Sequence, residues 1–592
     1  MLWRRTTQPI LPPRHSPAPA GRYDLYPAYP LPERSHSERH LQQIGRGFAA
    51  LAECLAGHPR IVIDGYGGVL WPVFRERLER ALVALEVKAS WLTVDQALKP
   101  EAEIARLVAP FLGDDPLFGT RFTGSLKDFF DQAKLKALRP GSGVSILYGT
   151  GAALAGWSEA LLLYLDVPKN EIQYRARAGS IANLGRSSAD DPKVMYKQCY
   201  FVDWVVLNRH KAELLPHLDL IVDAQNPDDP AFMTGERLRA GLERMAHTFF
   251  RARPWFEPGP WGGQWLKKTI PALAQDAPNY AWSFELITPE NGLIFESASQ
   301  RLEVSFDLLM YQNHRAVLGD SAERFGYDFP IRFDYLDTFE GGNLSLQCHP
   351  RADYIRQFGE RFTQDETYYI MDAKPGAKVY LGFRDGIDPQ GFEQALSGSL
   401  PLEVEAFVMT VPARQHALYL IPSGTIHCSG QDALVLEISA TPYIFTFKLY
   451  DWLRPDLDGR PRPLNVARAM ANLDFQRQGQ RVHHELISQP RLLVSGPGWQ
   501  VVHLPTHQEH FYDVHRLEFD KCLEVATEGS VHVLTLVAGE AVLLETGPGA
   551  QQLFSYAETF VVPAAANAYR LTNRGAVPAK VIKAFIKPGP QP

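Results

Sequence analysis

The sequence predicts a multidomain protein with an α/β domain in its first 250 or so residues, followed by mainly β structure with helical insertions. Three observations carry this. The chain has 592 residues, too many for one hydrophobic core at about 100 to 200 residues per domain. Strand-like apolar runs alternate with helix-like stretches in the first part, the order expected of an α/β sheet. Beyond the dense Pro/Gly junction Pro254 to Pro260, short alternating strands such as SFELI (Ser283 to Ile287) and RLEVSF (Arg301 to Phe306) take over.

Composition narrows the function classes. Hydrophobic residues make up 45% and charged residues 21%, ordinary for a soluble globular chain. With 60 basic and 67 acidic residues the formal charge is -7, so there is no electrostatic footprint for nucleic acid. No run of 18 apolar residues occurs, and Met1 to Arg5 is not followed by an apolar stretch, which points to a cytoplasmic protein without a membrane partner. Five scattered cysteines with no C-x-x-C pair fit a reducing compartment.

Residues 1–34 are rich in Pro, Arg and aromatics and read as an extended arm, with Tyr23, Tyr26 and Tyr29 able to pin its second half. A domain over 35–253 follows. Ser35-x-x-Glu38 is a possible capping box, and Leu41, Ile44, Phe48, Leu51 and Leu55 recur at helical spacing. The run Ile61-Val62-Ile63, the turn Asp64 to Trp71 and a helix-like stretch from Phe74 to Leu85 have the layout of a phosphate-cradling loop. Val69, Leu70 and Trp71 stand where the lysine and the Ser/Thr of a working P-loop belong, so nucleotide binding is doubtful unless a lysine such as Lys127 or Lys197 supplies the charge. The order of elements, with Tyr164-x-Asp166-x-Pro168, resembles uridine-kinase-like nucleoside and sugar kinases. That resemblance implies lid roles for Arg175 and Arg177; the alternative is that both form surface ion pairs.

The next domain, 254–480, carries the chemistry. GGNLSLQCHP (Gly341 to Pro350) alternates so that Leu344 and Leu346 share one face and Gln347 with His349 the other. Glu366 heads a β-rich run, and His427 follows a Pro-Ser-Gly turn. Two imidazoles, a carboxylate and an amide oxygen suit zinc or another divalent ion, one per chain, with positions left for substrate. Cys348 and Cys428 adjoin the two histidines but read as packing residues, since alternation sends Cys348 to the opposite face from His349. The block 481–592 shows further alternating strands, His532 to Glu545 and Thr559 to Ala564, without a comparable ligand set, and is expected to be structural and metal-free.

Q-x-H-P, a Glu 17 residues on, P-S-G-T-I-H with L-E-I, and Y-D-W-L-R, together with P-W-G-G-Q-W-L (Pro260 to Leu266), resemble the class I mannose-6-phosphate isomerases, a zinc-dependent cupin family. The resemblance covers Trp255 to the C-terminus. It implies a double cupin (jelly-roll) behind the P-loop-kinase-like α/β domain, with metal ligands Gln347, His349, Glu366 and His427. It also implies isomerisation of a mannose-type sugar or sugar phosphate. Arg454 and Lys448 are the expected cationic contacts. Glu437 is a possible proton relay or else a surface carboxylate, with Asp451 and Lys374 behind them. Two positions depart from the family's pattern: Gln364 stands for a lysine and Lys448 for an arginine. The other readings of the chain are a non-catalytic sugar-binding regulator and a bifunctional sugar kinase and isomerase.

Overall fold

In the computed structural model the described residues are 3–14, 18–19, 21–32, 43–398, 401–442, 444–547 and 549–588; the proposed capping box Ser35 to Glu38, with Leu41, lies outside them. The chain forms two compact units. The first takes 1–16, 26–245 and 289–313, and the second takes 17–25, 246–288 and 314–592. The boundary therefore lies near 245, and a segment expected in the metal domain returns to the first unit. The reason is pairing: Gly292–Ser297 and Gln300–Ser305 form a hairpin, whose backbone reaches carboxylates of the α/β sheet. Asp166 accepts from Ser305 N (2.6 Å) and Asp223 from Glu303 N (3.0 Å). The Pro-rich arm is also not wholly irregular, because Ala28–Pro30 pairs in parallel with Gly292–Ser297.

The first unit is built on a seven-stranded sheet. Its order is Gly45–Arg46, Ala231–Thr234, Leu220–Asp223, Leu161–Asp166, Arg60–Gly65, Val144–Tyr148, Ala89–Thr93. The last five pair in parallel, and Ala231–Thr234 is antiparallel to both its neighbours. Arg60–Gly65 lies between two parallel neighbours with both faces covered, which is why Ile61, Val62 and Ile63 form an unbroken apolar run. Among the described residues the helix runs over Gly47–Leu55, directly after Gly45–Arg46, which pairs at the sheet edge.

Between Gly65 and the helix Trp71–Ala84 lies the glycine turn, with Gly68 at φ +85°. Arg175, on the helix Lys169–Arg177, is neither a lid residue nor a surface ion pair; it is fully buried behind this turn. Its Nη1 donates to Gly68 O (2.7 Å), Nη2 donates to Ala224 O and Gln225 O (2.8 and 2.9 Å), and Nε faces Glu171 (3.3 Å). Arg177, on the same helix, is half-buried. Asp64, at the end of the central strand, accepts from Gly65 N, Gly151 N and Ala153 N and sits 2.8 Å from His210 Nε2. Backbone N–H groups at these turns are thus bound by a carboxylate of the protein itself. Lys197 donates to the carbonyls of Gly113 and Asp115. The buried lysines near the sheet, Lys169 and Lys211, are held by Asp307 (2.7 Å each), and Lys211 also by Asp166 (3.3 Å).

The second unit holds two antiparallel sandwiches. In the first, a six-stranded sheet runs Leu418–Ile421, Glu366–Ala373, Ala433–Ala440, Ile331–Asp337, Trp282–Leu286, Trp255–Glu257. A five-stranded sheet runs Val408–Pro412, Lys378–Phe383, His427–Ser429, Leu346–Cys348, Phe447–Tyr450. The second sandwich pairs a six-stranded sheet (Arg491–Gly496, Trp499–Leu504, Tyr512–Phe519, Ala579–Ile586, His532–Ala538, Thr559–Val562) with a four-stranded one (Cys522–Ala526, Ala568–Asn573, Ala541–Thr546, Ala550–Ser555). Buried tyrosines join the two: Tyr512 Oη donates to Ile438 O (2.8 Å) and Tyr335 Oη to Ala557 O (3.0 Å). The P-W-G-G-Q-W-L segment is a brace on the first sandwich. Gly263 lies so close to the strand Ile331–Asp337 that a Cβ would stand 2.4 Å from Asp337 O, and Asp337 accepts from Leu266 N (2.8 Å). No helix among the described residues is long and apolar enough to cross a membrane.

Replacing Arg175 by Met should destabilise the first unit by about 3 to 5 kcal/mol, since the carbonyls of Gly68, Ala224 and Gln225 lose their donor together. Urea unfolding followed by amide hydrogen exchange in the strand Arg60–Gly65 measures this, and an unchanged opening free energy there would contradict the clamp.

Candidate metal centre

Gln347, His349, Glu366 and His427 come from separate strands and turns, and the structure brings them together. Gln347 lies on Leu346–Cys348, directly opposite His427 in register. His349 follows that strand, and Glu366 opens the strand Glu366–Ala373 of the other sheet. His349 Nε2 is 2.6 Å and His427 Nε2 3.2 Å from Glu366 Oε2, while the Gln347 amide nitrogen is 3.3 Å from His427 Nε2. His349, Glu366 and His427 are all buried and form a possible metal site.

The turn that aims His427 is held from several sides. Gly424 sits at φ +82°, and a Cβ there would come 2.7 Å from Asn472 O, so only glycine fits. Its N–H donates to His349 O (2.9 Å), which ties one imidazole's backbone to the other's turn. Asp365, next to Glu366, accepts from Ser423 N (2.8 Å). Buried Arg477 donates to Pro422 O, Ser423 O and Thr425 Oγ1 at 2.7–2.8 Å and pairs with Glu509 (3.0 Å). Arg477 escaped the sequence reading; Arg477 lies 50 residues beyond His427 and in no ligand motif.

The tautomers settle what the cluster can hold. His349 Nδ1 lies 3.0 Å from Phe445 O and His427 Nδ1 2.9 Å from Thr425 O, so each Nδ1 carries the proton donated to a carbonyl. Both Nε2 lone pairs then face a carboxylate, which cannot donate either. Glu366 Oε1 is buried without a partner. Burial holds His349 below its usual range, in the neutral form that ligates. Electron-pair donors meeting with no proton between them fit a divalent cation. Cys348 and Cys428 are buried with their thiols pushed up by desolvation, as suits packing residues and not thiolate ligands.

The other candidates are placed differently. Lys448 is directly opposite Gln347 on the neighbouring strand, which sets it on the same sheet face. Glu437 is not a surface carboxylate: it is buried, ion-paired with Arg332, and accepts from Ser439 Oγ (2.9 Å). Asp334, 3.3 Å from Arg332 Nε, is lifted to about 7 by burial, with the Arg332 charge opposing and Glu366 adding to the shift. Arg454 shares no hydrogen bond with the four ligands; it donates to Asn343 O and Asp451 (2.8 Å) and lies 5.7 Å over the Trp261 ring. Arg462, which the sequence reading missed, donates to the same Asp451 (2.7 Å) and to Ser345 Oγ (2.6 Å) and also covers Trp261. Lys374 is half-buried and paired with Asp432 (3.0 Å). Gln364 is buried, 2% exposed, so a lysine there would be buried too.

Residues 47–247 match a family model described as "Domain of unknown function (DUF8485)". The chain is 25% identical over 239 residues to "Mannose-6-phosphate isomerase ManA" of Bacillus subtilis, spanning 40% of this chain and 71% of that one. It is 24% identical over 211 residues to a mannose-6-phosphate isomerase of Streptococcus mutans, spanning 36% of this chain and 63% of the relative. A crystal structure of the Bacillus subtilis mannose 6-phosphate isomerase is similar at 20% identity and a TM-score of 0.47, over 57% of this chain and all of that one.

Asp334 makes the stability of this barrel pH-dependent. Its folded value of about 7 exceeds the ordinary 3.8, so the folded chain holds an extra proton between them. The stability is full below about 4 and is lost as pH rises through about 7. Urea midpoints should fall from pH 5 to 7.5, and Asp334→Asn should flatten that slope; an equal slope in the variant would contradict the assignment.

Proposed function

We propose that the second unit is a metal-dependent aldose-ketose isomerase interconverting mannose 6-phosphate and fructose 6-phosphate or a closely related sugar pair. The observation that carries this reading is the meeting of His349, His427 and Glu366 as three electron-pair donors with no proton between them; the similarity to mannose-6-phosphate isomerases supports it. Gln347 would complete the ligand set through its amide oxygen. A bound zinc or similar ion supplies Lewis acidity at the sugar's carbonyl and neighbouring hydroxyl, lowering the cost of removing the C–H proton between them.

The protein's own groups do the rest. Nδ1–H donation to Phe445 O and Thr425 O fixes both imidazoles in the ligating tautomer. Lys448, on the ligand face beside Gln347, is the cation for developing oxyanion charge. Arg454 and Arg462 share the single carboxylate of Asp451, which leaves one net positive charge, and Arg454 Nε is buried without a partner. That surplus suits a phosphate group. Arg332 pairs with both Glu437 and Asp334 beside the candidate ligands.

For the first unit we propose no phosphoryl transfer and weak or absent nucleotide binding. Asp64 consumes three backbone N–H groups near the glycine turn, Arg175 is spent on carbonyls, and Lys169 and Lys211 are neutralised by Asp307 and Asp166. A kinase needs such groups free for charge on the transferring phosphoryl.

Metal-loaded protein should interconvert the two hexose phosphates, and a chelator should abolish turnover. His349→Ala with His427→Ala should remove one metal equivalent and lower kcat/KM at least a hundredfold, while Lys448→Arg should retain the metal and shift kcat/KM severalfold. Absence of turnover on any aldose or ketose phosphate by metal-loaded wild type would favour a sugar-binding protein instead.

A further inference from the structure

A second group of ligand-type side chains lies in the second sandwich, outside every motif the sequence offers. Asp513 and His515 stand two residues apart on the strand Tyr512–Phe519, so both project to one face. His503, on Trp499–Leu504, is directly opposite His515 in the antiparallel register. The two rings meet edge to face with centroids 5.3 Å apart. His503 Nε2 is 2.8 Å from Asp513 Oδ2, and one donor atom from each of the three residues lies within 4.8 Å of the others. All three side chains are half-buried, partly shielded yet reachable from solvent.

The carboxylate is oriented by its other oxygen. Asp513 Oδ1 accepts from Val514 N (3.0 Å), Thr506 N and Thr506 Oγ1 (3.3 Å each), which leaves Oδ2 directed to the histidines. A hydrogen-bonded His–Asp pair would account for His503 and Asp513 alone. It does not account for a third ligand-type group within reach of both. Bonds of about 2.0–2.1 Å in a four-coordinate site put ligand atoms about 3.3 Å apart, between the 2.8 Å of the His503–Asp513 contact and the 4.8 Å within which all three donor atoms lie.

We propose that His503, Asp513 and His515 form a second divalent-metal site, binding a borderline ion such as zinc, cobalt or nickel through two nitrogens and one oxygen. Magnesium and calcium need more oxygen ligands than one carboxylate offers. Three protein ligands leave a position for water or a small anion. Lys583, directly opposite His515 on the next strand with its ammonium 4.7 Å over the Phe585 ring, adds the positive charge that would favour the anion. This site is independent of the isomerase reading, since no residue is shared.

Chelator-stripped full-length protein titrated with cobalt, with bound metal counted after gel filtration, tests it. Wild type should hold two equivalents, and His503→Ala with His515→Ala should hold one. His349→Ala with His427→Ala should also hold one. If the half-buried double variant folds poorly by circular dichroism, Asp513→Asn alone should weaken the second equivalent at least tenfold. Two equivalents retained by the His503, His515 variant, unaltered affinity in Asp513→Asn, or a single wild-type equivalent that the His349, His427 change removes would each overturn the proposal. Loss of an equivalent from the His503, His515 variant but not from the His349, His427 variant would leave it standing and remove the first centre instead.

Discussion

A buried carboxylate facing two imidazoles that have already given away their protons is the constraint around which the second unit is organised. Glu366 Oε2 lies 2.6 and 3.2 Å from the Nε2 atoms of His349 and His427. With each Nδ1 committed to a backbone carbonyl, none of the three can donate to another. Such a contact is repulsive by itself and becomes favourable with a cation among the lone pairs. The surrounding architecture supplies the rigidity this requires. Two sheets contribute ligands, Gly424 permits the turn before His427, and Arg477 holds that turn by three hydrogen bonds.

Charge inside the first sandwich is arranged in pairs and triads. Arg332 serves both Asp334 and Glu437, and Asp451 serves both Arg454 and Arg462. The first triad carries more acid than base and sits against the ligand carboxylate, so one of its members, Asp334, is pushed toward neutrality. The second carries more base than acid and keeps a surplus positive charge at Trp261. These opposite imbalances give the interior an acidic side that attracts a cation and a basic side that attracts an anion.

The first unit spends the same kinds of groups on itself. Asp64 fills the N–H groups of Gly65, Gly151 and Ala153, and Arg175 fills carbonyls of the glycine turn and of residues 224 and 225. Each is a side chain that local sequence makes look available for a ligand. Fully satisfied networks of this kind rigidify a fold and leave little for an external phosphate.

The candidate metal ligands were legible as letters because strand alternation and turn chemistry are local: Gln347 and His349 share a face by spacing, and Pro-Ser-Gly before His427 dictates a turn. The alternation of α and β elements, the change to antiparallel strands and the glycine turn could be read for the same reason. Long-range pairing could not. RLEVSF carries a strand pattern, but nothing in that pattern says that its backbone will reach Asp166 and Asp223 of the first unit instead of the metal domain. Arg175 and Glu437 look like ordinary polar residues in sequence, and only the packing of distant elements makes them buried, since burial belongs to the assembled neighbours. His503, Asp513 and His515 show the same limit. Their spacing matches no ligand motif, and it is the register between two strands that sets His503 opposite His515 and within reach of Asp513.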